Sequence, residues 1–178
     1  MIGVLQDTPV IETERLILRA PQAGDEEAFI PFAMSARAEF IGGGAECDLG
    51  LAWRIMAIIA GHWTIRGYGS FVLVDKATGT PIGSAGPWHP AGWPEQELGW
   101  TIWNADYEGT GLAHEAVLAL RHYVYETLKW PTAVSYIDER NARSIALAER
   151  LGCRLDKAAE QPKPESPCLI YRHPGPAQ

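Results

Sequence analysis

The segment from residue 97 to residue 137 constrains the fold more than any other part of the chain. It predicts a strand over 97–103, a short loop with two glycines, a helix over 112–128 and a strand over 132–137. The helix is the clearest in the sequence, because apolar side chains recur along one face at positions 113, 116, 117, 120 and 124. A helix that joins two strands of one sheet makes a right-handed crossover, so we expect these strands to pair in parallel.

Helices and strands alternate through the rest of the chain as well. The residue pattern predicts strands over 15–20, 70–75, 81–86 and 169–172, and helices over 51–66 and 141–151. A further helix follows Asp25, a residue type that favours the N-cap. Residues 40–50 contain three successive glycines and residues 87–94 are rich in Trp and Pro, so both stretches are predicted to be loops. This order of elements predicts a mixed α/β domain.

Length, composition and charge exclude several classes of protein. The chain has 178 residues, the size of one domain, and 47% of them are hydrophobic, which is a globular composition. The net charge of −7 opposes polyphosphate binding, so we predict no nucleic-acid partner. No apolar run reaches the roughly 20 residues of a membrane span, and residues 1–10 lack the pattern of a signal peptide. We expect a cytoplasmic protein with no membrane partner and one domain over 12–173, between an extension over 1–11 and a tail over 174–178.

The cysteines and histidines predict neither a disulfide framework nor a metal site. Cys47, Cys153 and Cys168 are odd in number and far apart, and the five histidines are dispersed. None of them has the spacing of a metal-ligand motif. We therefore predict that the protein holds no metal.

The two glycines between the strand and the helix form a candidate anion site. Gly109 and Gly111 precede Leu112, so free main-chain N–H groups lie at the positive end of the helix dipole. Glycine has no Cβ, which lets a pyrophosphate approach the backbone closely. The alternative is that the glycines only shape a turn. A dinucleotide-binding fingerprint does not fit, because position 114 is a histidine, and the Lys-Ser/Thr of a P-loop is absent.

This motif and three others resemble the GNAT acetyltransferases. The family's pyrophosphate loop, Gln/Arg-x-x-Gly-x-Gly/Ala, corresponds here to DYEGTG at 106–111. TERLILR at 13–19, ELGW at 97–100 and NARS at 141–144, with a later Leu-Gly at 151–152, resemble the branch that acetylates ribosomal-protein N-termini. The resemblance covers most of residues 12–157. It implies a central mixed, mostly antiparallel sheet that is splayed between its fourth and fifth strands and flanked by helices.

The resemblance also implies a co-substrate, acetyl-CoA, and the residues that bind it. In the family the pantetheine arm lies in the splayed sheet, and the pyrophosphate lies on the glycine loop. Here the pantetheine would contact the backbone of Trp100, Thr101 and Ile102, together with Asn141. The pyrophosphate would bind main-chain amides of five successive residues, which are Gly109, Thr110, Gly111, Leu112 and Ala113.

Three residues are candidates for the chemistry. Asn141 and Ser144 lie three apart at the start of a helix and so share a face. The resemblance implies that Asn141 holds pantetheine or a water and that Ser144 donates a hydrogen bond to the leaving thiolate. The alternatives are an N-cap for Asn141 and helix packing for Ser144. Glu97 is a candidate base or amine anchor beside the expected cleft, and the alternative is an exposed carboxylate at the end of a strand.

The sequence departs from the family pattern at several positions. Many members have a tyrosine acid seven residues after the asparagine, where this chain has Ala148. Asp106 replaces the leading Gln or Arg of the loop, and Glu108 and Thr110 stand where basic residues are frequent. A carboxylate at position 108 would repel phosphate unless it points away.

These observations predict an acyl-CoA-dependent N-acetyltransferase in which a primary amine attacks the thioester directly in a ternary complex. The acceptor would be a protein N-terminus or a small amine, and the enzyme a monomer or homodimer. One alternative is a non-catalytic acyl-CoA-binding regulatory module of the same fold, and a remoter one is an antibiotic-modifying acetyltransferase. Five aromatic residues could wall the acceptor pocket or only fill the core: Trp88, Trp93, Trp100, Trp103 and Tyr107.

Overall fold

Eight strands form one open sheet in the computed structural model, which describes Leu5 and residues 7–176. The positions outside it are 1–4 and 6, within the predicted extension, and 177–178, within the predicted tail. The strands lie in the order β1-β2-β3-β4-β5-β6-β8-β7, and every neighbouring pair is antiparallel except β5–β6. The strands are β1 Ile11–Glu12, β2 Leu16–Arg19, β3 Phe71–Asp75, β4 Pro81–Trp88, β5 Glu97–Ile102, β6 Val134–Ile137, β7 Arg154–Leu155 and β8 Leu169–Arg172.

Helices cover both faces of the sheet. They are α1 Glu26–Ala33, α2 Leu49–Arg66, α3 Leu112–Glu126 and α4 Ala142–Arg150. Successive side chains of β3 point to opposite faces of the sheet and so contribute to a hydrophobic core on each face. Phe71 and Leu73 pack on the side of α3, and Val72 and Val74 pack on the side of α1 and α2. The predicted mixed α/β class and mostly antiparallel sheet are confirmed.

The sheet opens between β5 and β6. These strands are parallel, as the crossover predicts, but only Glu97 and Val134 are in register. The N–H of Val134 donates to the carbonyl of Gln96 at 3.0 Å, and beyond this point the Ser135 hydroxyl, rather than the backbone, reaches β5, donating to the Leu98 carbonyl at 2.6 Å. The predicted splay between the fourth and fifth strands therefore falls between β5 and β6. The strand numbers differ by one from the prediction because β1 was not predicted. It is two residues long, which is too short to show a period in the sequence.

Several element boundaries differ from the predictions for local reasons. The loop predicted over 40–50 is shorter, because Ala36–Ile41 forms a 3-10 turn and α2 begins at Leu49. The Asp48 carboxylate starts that helix by accepting a hydrogen bond from the Leu51 N–H at 2.7 Å. β4 continues to Trp88 although residue 87 is a proline. Asp25 lies at the predicted N-cap of α1, but its side chain makes no capping hydrogen bond and binds Arg19 instead.

Candidate active site

A cleft of about 600 Å³ occupies the opening between β5 and β6. Its walls come from the two diverging strands, the start of α4, the inner side of α2 and the loop before β8. The predicted residues Glu97, Trp100, Thr101, Asn141 and Ser144 all line it. The fold therefore brings together side chains that are up to 47 positions apart in the chain.

The backbone of β5 presents alternate residues to the cleft. The N–H of Trp103 donates to the Ile82 carbonyl at 2.7 Å, so these two residues form a hydrogen-bonded pair between the neighbouring chains. Two residues back along β5, Thr101 lies opposite Ser84 of β4. Antiparallel ladders alternate, so the main-chain groups of Thr101 face β4 while those of Trp100 and Ile102 face away from it. Thr101 contributes its side chain, whose Oγ1 lies 3.0 Å from the Ser84 hydroxyl. The register thus favours Trp100 over Thr101 as a main-chain contact for a ligand in the cleft.

Glu97 lies where the strands begin to separate. Its carboxylate accepts a hydrogen bond from the Trp93 indole N–H at 2.8 Å, and the main-chain N–H of Tyr136 also favours its charged form. The side chain lines the cleft and is half-buried. The loss of solvation there raises the pKa of Glu97 from 4.5 to about 7, and the two N–H groups lower it by less. A carboxyl group with this pKa can accept a proton at neutral pH.

Asn141 and Ser144 are placed by the first turn of α4. The Asn141 side-chain oxygen accepts a hydrogen bond from the Ser144 N–H at 3.1 Å, which confirms the N-cap interpretation. The Ser144 hydroxyl oxygen accepts one from the Trp100 indole N–H at 3.2 Å. Since that oxygen already has a donor, the hydroxyl proton remains free to be donated elsewhere. This arrangement ties α4 to β5 at the side of the cleft.

The glycine loop leaves main-chain donors free at the start of α3. Gly109 and Gly111 have φ of 73° and 86°, which favours glycine, and Gly111 is the N-cap of α3. No side chain within the described ranges caps this helix end. The first-turn carboxylate, Glu115, is engaged by Thr13 and Arg15 instead. The amides predicted to bind a pyrophosphate therefore keep their hydrogen-bonding capacity.

The carboxylate expected to oppose phosphate binds two arginines. Glu108 accepts hydrogen bonds from Arg37, which precedes α2, and from Arg143 in α4. Arg15 approaches the same loop and donates to the Thr110 carbonyl at 3.0 Å. The sequence motif lacks a basic residue, but the fold delivers three to it. Sequence reasoning missed them because no local pattern links positions 37 and 108.

A buried pair lies at the base of the opening. The Ser135 hydroxyl donates to the Leu98 carbonyl, so His173 must donate to Ser135 through Nε2, 2.9 Å away. His173 is buried, and its Nδ1 has no partner among the residues that the structure describes. Burial lowers the pKa of His173 to about 3, with a smaller contribution from Arg121. The imidazole is therefore neutral and structural, and it fixes the point at which the strands part.

The five aromatic residues divide between the cleft and the core. Trp88, Trp93 and Trp100 line the cleft. Trp103 is buried against Phe29 at a centroid distance of 5.3 Å, and the Tyr107 hydroxyl donates to Asp75 at 3.0 Å. The packing interpretation therefore holds for Trp103 and Tyr107, and the role of the other three as the wall of an acceptor pocket stays a prediction.

Neither a membrane helix nor a metal cluster is found in the parts of the chain described. No helix there is both long enough and apolar enough to span a bilayer. No three His, Cys, Asp or Glu side chains among residue 5 and residues 7–176 converge in a way that would hold a metal ion.

Comparison with known proteins agrees with this geometry. The family model described as the acetyltransferase (GNAT) domain matches residues 15–154. An acetyltransferase from Agrobacterium tumefaciens str. C58 has 37% identity and a TM-score of 0.85, over 96% of this chain and 97% of that chain. A protein described as a GNAT-family acetyltransferase from Bordetella pertussis has 25% identity and a TM-score of 0.74, over 93% and 99%.

The fold is also shared with ribosomal-protein acetyltransferases. The ribosomal-protein-S5-alanine acetyltransferase from Vibrio fischeri has 16% identity and a TM-score of 0.67, over 92% of this chain and 95% of that chain. At this identity the likeness concerns the fold alone. The family model, by contrast, spans most of the sequence, from β2 to the start of β7. The chain therefore belongs to the GNAT family of acetyltransferases.

Proposed function

We propose that the protein transfers an acetyl group from acetyl-CoA to a primary amine, and that it does so in the cytoplasm. The observation that carries the proposal is the convergence on one cleft of a carboxyl group with a pKa near 7 and a serine with a free hydroxyl proton, beside a loop with free amides. Direct transfer requires a base, a proton donor and an anchor for the acyl carrier.

The residues present fit acetyl-CoA in two respects. The amides of residues 109–113 would hold the diphosphate, since Gly109 has open space where a Cβ would lie and a Cβ at Gly111 would meet only the Arg15 guanidinium, at 3.6 Å. The main-chain groups of Trp100 and the N–H of Ile102, which face away from β4, would hold the pantetheine arm together with the Asn141 side chain. The Ile102 carbonyl already accepts a hydrogen bond from Arg37. When bound, acetyl-CoA supplies a thioester whose carbonyl carbon accepts the amine nitrogen.

Glu97 is the proposed base. A protein α-amine, with a pKa near 7.7–8.0, costs only about 1.0–1.4 kcal/mol to deprotonate at pH 7, whereas a lysine amine with a pKa near 10.4 costs about 4.6 kcal/mol. A carboxylate that titrates near pH 7 is matched to the first kind of amine. This supports an α-amine, or a small amine of similarly low pKa, as the acceptor.

Ser144 is the proposed proton donor to the leaving sulfur. The balance is that an ammonium and a thioester give an amide, a thiol and one proton, with a C–N bond formed and a C–S bond broken. Glu97 accepts the proton that converts the ammonium to the amine. The Ser144 hydroxyl donates its proton to the sulfur. The second proton lost by the nitrogen then restores the Ser144 hydroxyl. Ala148 cannot take this role, because it is a buried methyl side chain.

The wall facing Glu97 is mostly apolar. Phe40, Ile55 and Ile59 line the cleft from the α2 side. Trp88, at the end of β4, and Trp93, in the loop before β5, line it as well. Such a wall favours an amine carried by an aliphatic or aromatic group, whether on a peptide or on a small molecule.

A mass-spectrometric acceptor screen tests the proposal. Acetyl-CoA is incubated with peptides that differ in their first residue and with small amines, and the mass gain of 42 Da expected for an acetyl group is sought. Glu97→Gln and Ser144→Ala should each lower kcat, by about 100-fold and about 10-fold respectively. Glu139→Gln, an exposed carboxylate outside the cleft, is the control. Binding of CoA without acetylation of any amine would favour the regulatory module instead.

A further inference from the structure

Two arginines from distant parts of the chain meet at the residue before the glycine loop. Arg37 contacts Glu108 from the 3-10 turn Ala36–Ile41, and Arg143 contacts it from the first turn of α4. The loop itself contains acidic and neutral side chains where its sequence motif would carry a cation. The positive charge beside this loop therefore comes from elsewhere in the fold.

The two arginines are held very differently. Arg37 donates to the carbonyls of Trp103 at 2.7 Å and Ile102 at 2.9 Å, as well as to Glu108, so it is fixed at the end of β5. The Arg143 side chain is 80% exposed, and its one polar partner among the described residues is Glu108. Arg37 is built into the fold, whereas Arg143 can leave its partner without disturbing anything else.

The Arg143–Glu108 pair joins the two segments that follow the diverging strands. Glu108 lies between β5 and α3, and Arg143 lies on the helix that follows β6. The pair thus bridges these two segments next to Gly109, where the amides proposed to bind phosphate begin. A phosphate held by those amides would compete with the Glu108 carboxylate for the same guanidinium.

We propose that Arg143 is a ligand for a phosphate group of the acyl carrier, and that Glu108 is its internal competitor. Arg143 binds the carboxylate in the free protein and exchanges it for phosphate when the carrier binds; this rests on the proposed function. The exchange is favourable because an exposed ion pair contributes little stability, whereas a guanidinium binds a phosphate with two parallel, charge-assisted hydrogen bonds. Arg37 retains Glu108, which keeps the released carboxylate away from the ligand.

Isothermal titration with CoA tests the exchange through affinity rather than turnover. Arg143→Gln should weaken binding about tenfold, and Glu108→Gln should tighten it about threefold. The gain from Glu108→Gln should vanish in the double variant, because it acts by freeing Arg143. Arg150→Gln removes the same charge from the exposed end of the same helix and should change affinity less than twofold. Thermal unfolding without ligand confirms that each variant is folded.

Titration with dephospho-CoA, which lacks the ribose phosphate but keeps the diphosphate, shows which of these two groups Arg143 binds. If Arg143→Gln weakens CoA and dephospho-CoA equally, Arg143 binds the diphosphate, and if it weakens only CoA, Arg143 binds the ribose phosphate. A change of less than twofold with both ligands would overturn the proposal. So would a gain from Glu108→Gln that persists without Arg143, since that is direct repulsion and not exchange. Failure of the wild-type protein to bind CoA at all would instead refute the proposed function.

Discussion

Replacing Glu97 by glutamine should change how stability depends on pH. In the folded protein burial raises the pKa of this carboxyl group to about 7, while the unfolded chain releases the proton near 4.5. Between these values the folded state holds more protons than the unfolded state, so the contribution of Glu97 to stability falls as pH rises. It is fully present below about pH 4.5 and lost by about pH 8.

The size of the effect follows from the shift in pKa. A difference between 4.5 and about 7 corresponds to about 3 kcal/mol in the free energy of unfolding, at about 1.4 kcal/mol for each pH unit. Glutamine stays neutral and keeps an oxygen that can accept the Trp93 hydrogen bond. The unfolding free energy of the wild type, minus that of Glu97→Gln, should therefore decrease steadily from pH 5 to pH 8.

Urea denaturation of both proteins at half-unit pH intervals measures this difference, in which all other ionisations cancel. Glu139→Gln, an exposed carboxylate, should show a flat difference over the same range. The same ionisation should appear as a rising limb near pH 7 in kcat/KM. A flat stability difference for Glu97→Gln would refute the argument that burial, rather than the hydrogen bonds, controls this carboxyl group.

Three further outcomes follow from buried polar groups. Asp25→Ala should destabilise the protein by about 3 kcal/mol in chemical denaturation, because it leaves the Arg19 guanidinium without its buried partner, and a loss under about 1 kcal/mol would contradict this. The wild type should lose stability relative to His173→Gln as pH falls below about 6.5. The reason is that the unfolded imidazole then takes up a proton, whereas the folded imidazole stays neutral down to about pH 3. Equal pH dependence of unfolding in the two proteins would contradict this prediction. Cys153, whose thiol pKa is raised to about 11 by burial, should resist a thiol reagent at pH 8 until the protein unfolds, as peptide mass spectrometry can follow.

The central unit of the fold was predictable because its signals are local. The apolar period over 112–124 predicts α3, and the crossover rule predicts the parallel pairing of β5 with β6. Asn141 as an N-cap is likewise a matter of neighbouring residues. The two-residue strands β1 and β7 are too short to show a period and exist only because a longer strand lies beside each of them.

The polar contacts around the site could not be predicted, because they join residues that are remote in sequence. Glu108 is 71 positions from Arg37 and 35 from Arg143, and no local rule pairs them. The Ser135–His173 contact spans 38 positions. The charge of Glu108 alone suggests repulsion of phosphate, and only the tertiary structure shows that this charge is compensated. The raised pKa of Glu97 is equally a consequence of burial that the sequence does not encode locally.

Isothermal titration of acetyl-CoA into a Gly109→Ala/Gly111→Ala variant tests the account most directly. The methyl groups strain two residues with positive φ and displace the amides that would hold the diphosphate. Gly79→Ala introduces similar strain, at φ 70°, in the turn between β3 and β4, far along the chain from the loop. We expect affinity to fall at least about tenfold in the double variant and to stay unchanged in the control. Equal affinity in all three folded proteins would contradict the placement of the acyl carrier at this loop.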